Sequence, residues 1–499
     1  MKRQSSSPDK GISSKGIELT AEYYRDLFKN SADIQIKKHK IHDEHKNKEY
    51  DCLLIFSEVM VDDGNLNGSI AQHKELLVSN INKKEVETVE YGNDELQLSI
   101  ISPETTTAEE IAEEIFSGMV LVLFEEQQLL FMYPLPNIPQ RSPEEPTSEI
   151  SFLGPRDGFT EDISINIALV RKRYKTASLV NESFEIGRRG KTKISLLYVS
   201  DITNEEIIHE VKKQLNSIQT DMIISTSDLE QILAGKKYKL VPLFNYTGRP
   251  DYVVASIDNG RFAILIDGSP LALIGPANLT YLLKTAEDRY NPYYYTNFEM
   301  LFRFVGLLVA IFLPAFFIAI TSFHLDQLPF PFLATITVSR MGLPLSPQLE
   351  AFFVLLLFEV FKGAGVTLPK AVGQTLTVVG GLIIGDAAIR GGLTSPTMLV
   401  VAGITSVSAY VLINQSLATS VSIVRLIVLF LSSILGLFGF FLGVFSVVLY
   451  LSRIQVLGVP YLAPVSPFSI KDFIGGLFSK PYVLDKKRSS ILKTKDRTK

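Results

Sequence analysis

Residues 301–470 carry only 11 charged side chains, seven basic and four acidic. Ordinary soluble domains are about one quarter charged, so a stretch this bare points to a membrane. The flanks read differently. Residues 1–300 hold 33 Lys and Arg against 46 Asp and Glu, and residues 471–499 hold nine against three. The 499 residues therefore divide into an acidic module, a nearly uncharged region and a short basic tail. This pattern excludes a wholly soluble protein. It also excludes a disordered chain, which needs low hydrophobicity and high charge throughout.

A spanning helix needs about 20 mainly apolar residues. Four stretches qualify. They are about 304–321, with Arg303 at its entrance and Pro314 as a kink candidate; 371–389, which contains Asp386; 396–413, which stops at Asn414; and 426–451, bracketed by Arg425 and Arg453. A fifth stretch, 349–366, is apolar but holds Glu350, Glu359 and Lys362. No apolar run follows Met1-Lys2-Arg3, so a signal peptide is not expected and the N-terminal half is expected to stay cytoplasmic. The tail from Asp485-Lys486-Lys487-Arg488 onward is basic, which places it in the cytoplasm as well. Two cytoplasmic ends require an even number of crossings. Four spans are expected, with 349–366 re-entrant or interfacial; five spans with an external tail are the alternative.

Before the membrane domain, 298–470, the sequence reads as an α/β region of two subdomains, followed at the end by the basic cytoplasmic tail 471–499. Residues 1–16 form a disordered tail, 17–133 the first subdomain and 156–297 the second. The stretch 134–155, with six prolines, is the linker between them. Leu53–Phe56 reads as a strand, while 70–81 and 108–116 read as helices. Met119–Phe124 and Leu129–Tyr133 form a hairpin around Glu125–Gln128. In the second subdomain 194–199 is a strand and 205–215 a helix. Tyr252–Ile257 and Arg261–Ile266 flank Asp258-Asn259-Gly260, a tight-turn signal that predicts a strand pair. Gly118 and Gly260 each precede a strand, which hints at an internal duplication.

Several motifs carry less than their appearance. Asp63-Gly64-Asn65-Leu66-Asn67-Gly68 opens like a calcium loop, but the twelfth position, which should be Glu, is Lys74. Gly187-Arg188-Arg189-Gly190-Lys191-Thr192 ends like a phosphate-binding loop, but the required first glycine is Glu185; it reads as a basic turn. Cys52 is the single cysteine. No catalytic, cofactor or metal set is expected, and no enzyme.

Glu359 and Lys362, spaced i, i+3, share a helix face and can pair. Ionisable groups at membrane depth mark a pathway or a pair; an interfacial ion pair is the structural alternative. Gln374, Thr377, Gly381 and Gly385 fall on one stripe. Small residues there suit close helix packing, and the hydroxyl and amide suit a water-filled pore. Asp386 is either a pore-mouth charge or a headgroup partner of Arg390.

The run Phe152-Leu153-Gly154-Pro155-Arg156-Asp157-Gly158-Phe159-Thr160-Glu161, with Asn166 and Leu169-Val170-Arg171-Lys172-Arg173, resembles the entry to the second soluble subdomain of spore germination (germinant) receptor A subunits of the GerA type. Arg249-Pro250-Asp251, Asp267-Gly268-Ser269-Pro270, Glu287-Asp288, Leu368-Pro369, Gly373-Gln374, Ile384-Gly385, Ser395-Pro396 and Gly458-Val459-Pro460-Tyr461-Leu462-Ala463-Pro464 extend the likeness. It is dense over 140–470 and loose over 20–133. Arg289 stands where the family has an aromatic residue. Asp386 replaces a polar amide, which adds a charge near the implied pore.

The resemblance implies a multi-pass subunit of the inner spore membrane. Its implied partners are a transporter-like B subunit, a lipoprotein C subunit, further copies of itself and lipid, but no nucleic acid. It also implies an oligomeric, nutrient-gated ion channel that triggers germination by ion release. The residues alone support a sensor or coupling module on a small membrane bundle. A pore-free scaffold and a secondary transporter stay open; the lack of repeated membrane halves counts against the transporter.

Overall fold

The computed structural model describes residues 17–43, 48–61, 99–135, 151–235, 239–367, 384–466, 470–481 and 484–499, with isolated positions between 66 and 81. The expected tail 1–16, most of the linker, the start of the Asp63 loop and the membrane residues 371–383 lie outside the described residues. The chain forms two compact units. The first comprises residues 1–233, 246–275 and 492–498; the second comprises 234–245, 276–491 and 499.

The first unit is built on two five-stranded sheets. Strands β1 (Ile34–Asp43), β2 (Lys48–Ser57), β3 (Ser99–Ile100), β4 (Met119–Phe124) and β5 (Leu129–Pro134) are ordered β1-β2-β4-β5-β3. The expected hairpin is present, with Met119 opposite Pro134 and Phe124 opposite Leu129. β4 is apolar at every position because both of its faces are covered. Val120, Val122 and Phe124 join one core cluster with Leu66, Ile70 and Leu77, whose segment is helical at its described positions. Leu121 and Leu123 join the other, against helices α1 (Ala21–Leu27) and α2 (Ala108–Ile115). Helix α2 begins with a reciprocal cap between Thr107 and Glu110 and buries Ala108, Ile111, Ala112 and Ile115, one stripe at helical spacing.

The second sheet has the same order. Strands β6 (Leu179–Ile186), β7 (Thr192–Val199), β8 (Asn245–Thr247), β9 (Phe262–Ile266) and β10 (Ala272–Gly275) run β6-β7-β9-β10-β8. Around it lie α3 (Ile163–Arg173), α4 (Glu205–Asn216), α5 (Thr226–Leu233) and α6 (Pro250–Asp258). The duplication hinted at by two glycines is thus a repeated topology. α2 enters β4 through Gly118 (φ 93°), and α6 enters β9 through Gly260 (φ 89°).

Helix α6 corrects the expected strand at Tyr252–Ile257. Pro250 sits in its first turn. Gly260 N–H donates to the Ile257 carbonyl (2.9 Å) and Arg261 N–H to that of Ser256 (3.1 Å). These two bonds, around a left-handed glycine, form a Schellman helix end. Asp-Asn-Gly suits a hairpin turn and a helix C-terminus alike, and the proline decides between them. The 187–192 segment is the expected basic turn, joining β6 to β7. The Arg188, Arg189 and Gly190 N–H groups all donate to backbone carbonyls of Thr220 and Asp221, so they do not form a phosphate cradle.

Arg171 of α3 ties the two sheets together. Its Nε and Nη2 donate to the two Asp33 oxygens (3.0 and 2.9 Å), its Nη1 to the Leu179 carbonyl (2.7 Å), and its guanidinium lies 4.1 Å from the Phe116 ring centre. Asn181 Nδ2 donates to Asp33 (3.1 Å), and Ser195 Oγ donates to Asn181 Oδ1 (2.6 Å).

The second unit is helical. It contains α7 (Leu279–Leu282), α8 (Tyr293–Phe323), α9 (Phe330–Ser339), α10 (Pro347–Thr367), helical residues 384–390, α11 (Pro396–Tyr410), α12 (Gln415–Arg453), a two-stranded ribbon of β11 (Gln455–Val456) and β12 (Val459–Pro460), and α13 (Ile470–Leu477). By length and composition, α8 and α12 could each cross a membrane. α8 runs unbroken through Pro314.

α12 is not one rod, and this corrects the single span expected over 426–451. Gly436 has φ 60° and ψ −138°, outside the helical region. Beyond it the chain turns back. A Cβ on Gly443 would lie 2.9 Å from Val428 Cγ1, and one on Gly439 would collide with the Leu431 carbonyl. In a straight helix residues 428 and 443 are about 22 Å apart. The arms 415–435 and 437–453 therefore form a hairpin with its tip against Phe323 and His324 at the end of α8. Hydropathy could not show this, because both arms are equally apolar.

Candidate functional site

Helix α10 carries Glu359 and Lys362 one turn apart, and the first arm of α12 brings Ser422 and Arg425 to the same place. Glu359 Oε2 accepts from Arg425 Nη2 (3.0 Å) and from Ser422 Oγ (3.2 Å). Lys362 Nζ stands 3.6 Å from Glu359 Oε1. The Arg425 side chain is 4% exposed, whereas that of Glu359 is 39% exposed. Two cations thus share one carboxylate inside an apolar bundle. Coulomb attraction is strong there, and so is the cost of removing either partner.

Arg425 was expected to bracket a span at the membrane boundary. The structure places it near the middle of the arm 415–435, about 15 Å from either end. The sequence obscured this because one apolar run stops at Asn414 and the next uncharged run begins only after Arg425. Asn414 is the signal that could have revealed it. Its side-chain oxygen accepts from Leu417 N–H (2.9 Å) and caps the helix.

A second polar cluster lies at the N-terminal end of α10. The Glu350 side chain is fully buried. Its Oε1 accepts from Ser395 N–H and Oγ (both 2.6 Å) and from Thr394 Oγ1 (3.1 Å), and its Oε2 accepts from Arg340 Nη1 (2.8 Å). Ser395 in turn caps α11. A carboxylate at a helix N-terminus is favoured by the helix dipole, so Glu350 fixes where α9, α10 and α11 meet. Its role was missed from sequence, where it read only as a charge in an apolar stretch.

The remaining sequence candidates are placed as follows. Gly385 faces α11, where an added Cβ would touch Leu399 at 3.4 Å; this is a packing position. Asp386 pairs with Arg390 (2.8 Å) on an exposed face. Gln374, Thr377 and Gly381 lie outside the described residues. Among the described residues, no group of three His, Cys, Asp or Glu could hold a metal.

At the opposite end of the bundle Arg303 of α8 is buried. Its Nη1 donates to both Asp288 oxygens (2.9 and 2.8 Å) and its Nη2 to Glu299 (2.8 Å). The chain after the hairpin returns to this end. Leu279 N–H donates to the Tyr461 carbonyl (2.9 Å) and Asn278 Nδ2 to that of Ala463 (2.9 Å).

A family model described as Bacillus/Clostridium GerA spore germination protein matches residues 22–491. The chain belongs to this GerA family. It is 36% identical to spore germination protein XA of Bacillus anthracis over 97% of both chains. It is 34% identical to the membrane protein YfkQ of Bacillus subtilis, covering 77% of this chain and 74% of that one. Spore germination protein KA of Bacillus subtilis is 32% identical, covering 72% and 66% respectively. The crystal structure of the N-terminal domain of the A subunit of the Bacillus megaterium spore germinant receptor GerK3 aligns at 24% identity with a TM-score of 0.37, over 53% of this chain and 97% of that one. The motifs on which the resemblance rests have physical roles here. Asn166, fully buried, exchanges hydrogen bonds with the Thr160 backbone (2.6 and 2.7 Å). Asp288 anchors Arg303, and the segment from Tyr461 to Ala463 docks on Asn278.

Proposed function

We propose that this GerA protein is the membrane subunit of a nutrient-sensing germinant receptor of the inner spore membrane, and that several copies ring an ion pathway whose opening triggers germination. The transporter-like B subunit and the lipoprotein C subunit are its proposed companions. One observation carries the reading: Glu359, mid-helix in an apolar bundle, keeps 39% of its side chain exposed on a single chain. A carboxylate so placed faces a neighbouring copy or a water-filled cavity, because hydrocarbon is a costly alternative. In this reading Glu359 lines the pathway, Arg425 and Lys362 hold it, and Asp386 with Arg390 stands at a mouth.

A pore-free scaffold is the second reading. The pairing of Glu359 with Arg425 inside one chain favours it, since that pair alone could lock α10 to the hairpin. Ion flux through the full chain in liposomes separates the two. Glu359→Gln alone strands Arg425, at a cost of about 3–5 kcal/mol. The triple variant Glu359→Gln, Lys362→Gln, Arg425→Gln strands no charge of this cluster. The pore reading expects the triple variant to assemble like wild type and to pass ions with altered rate or selectivity. Flux identical to wild type removes Glu359 from the pathway, and no flux from any variant leaves the scaffold.

A further inference from the structure

Between the Gly443–Val428 contact and the base of the hairpin, both arms of α12 line a cavity of about 180 Å3. Val424 and Ile427 face it from one arm, Val447 and Tyr450 from the other, and Leu307 of α8 from behind. No charged residue lines it. Ser420, Ser446 and Tyr461 line it too, and the Ser420 hydroxyl donates to the Ser416 carbonyl of its own helix (2.9 Å). The floor is closed by Leu240, whose N–H donates to Tyr450 Oη (2.8 Å). An apolar void of roughly 150 Å3 stays free of water and accepts a hydrocarbon the size of benzene. A charged or zwitterionic solute would find no counter-charge here. Hydrocarbon needs none, and Ile427 on the lip is 46% exposed beside Ile423 and Phe430, also exposed. Basic residues end both segments at the floor. Lys239 precedes Leu240, and Arg453 follows Tyr450 by three positions, on the same helix face.

We propose that this cavity is a lipid site that takes an acyl chain of an anionic phospholipid, with the headgroup at the level of Lys239 and Arg453. The proposal rests on the bundle crossing a bilayer, not on ion passage. The test uses the full chain in nanodiscs with phosphatidylglycerol carrying a photoreactive diazirine midway along one acyl chain, followed by peptide mapping. Peptides containing Val424, Ile427 and Val447 are expected to label. Val447→Phe and, independently, Ser420→Phe fill the cavity, and each is expected to lower that labelling roughly tenfold, as loss of about two buried methylenes would. Labelling at the exposed Phe438 and Phe445 should not change in either variant. The proposal is overturned if both variants label like wild type, or if phosphatidylcholine labels the cavity as strongly as phosphatidylglycerol. If Phe438 and Phe445 also stay unlabelled in wild type, the membrane reading itself fails.

Discussion

All five N–H groups of Arg171 point to acceptors within the first unit: Asp33, Ser31 and the carbonyls of Thr176 and Leu179. Removing one partner of such a buried pair costs about 3–5 kcal/mol, whereas an apolar pair of similar size is often neutral. Arg171→Ala should therefore lower the urea midpoint of unfolding sharply. Arg171→Lys should recover little, because an ammonium cannot form the two-pronged contact with Asp33. Arg171→Met with Asp33→Leu should recover most of the loss. Cys52 provides a second residue-scale test. Burial first, and Asp51 second, push its thiol from 9.0 up to about 12. The native chain should resist maleimide at pH 8 and react once per chain in denaturant. A raised thiol pKa adds stability below pH ~9 that is lost as pH rises toward about 12. Cys52→Ala should flatten that part of the stability profile.

At the scale of elements, the hairpin of α12 makes a simple claim. In a Cys52→Ser background, Val428→Cys with Gly443→Cys should form a disulfide on mild oxidation, visible as a mobility shift that reductant reverses. A bridge needs Cα atoms within about 7 Å, which a straight helix cannot provide across those positions. What the sequence could reveal of such elements depended on whether local signals had one meaning. Met119–Phe124 and Leu129–Tyr133 were legible because two apolar runs flank a polar four-residue turn. The helix at 108–115 was legible from its cap and stripe. The α6 helix was not, because Asp258-Asn259-Gly260 serves two kinds of turn. The reversal at Gly436 was not, because a glycine inside an apolar run carries no hydropathic mark. At the site, the i, i+3 spacing of Glu359 and Lys362 was readable within one helix. Arg425, 66 positions later, was not, since only tertiary packing brings it there.

For the whole molecule, the hairpin adds one helical pass to the second unit. α8 runs from the Arg303 end to the tip of the hairpin. α10 starts beside Ser395 and descends to Ser422, and α11 starts at Ser395 and ends near Gly306 of α8. With the two arms of α12 these are five helical passes among the described residues. If the N-terminal half and the basic tail lie on one side of the membrane, as the charge pattern leads us to expect, Asp326→Cys in the Cys52→Ser background should label from the side opposite Lys486→Cys. Labelling of both from one side contradicts an even number of crossings. Arg425 also sets a problem for synthesis. An arginine at the centre of a lone inserting helix costs about 3 kcal/mol, and Glu359 leaves the ribosome well before its partner. The helix with the carboxylate must wait for the hairpin, and the hairpin enters as a pair, its second arm free of charge until Arg453. The order in which the chain is made therefore becomes part of how it folds, and chains cut short before residue 425 are expected to be cleared rather than stored.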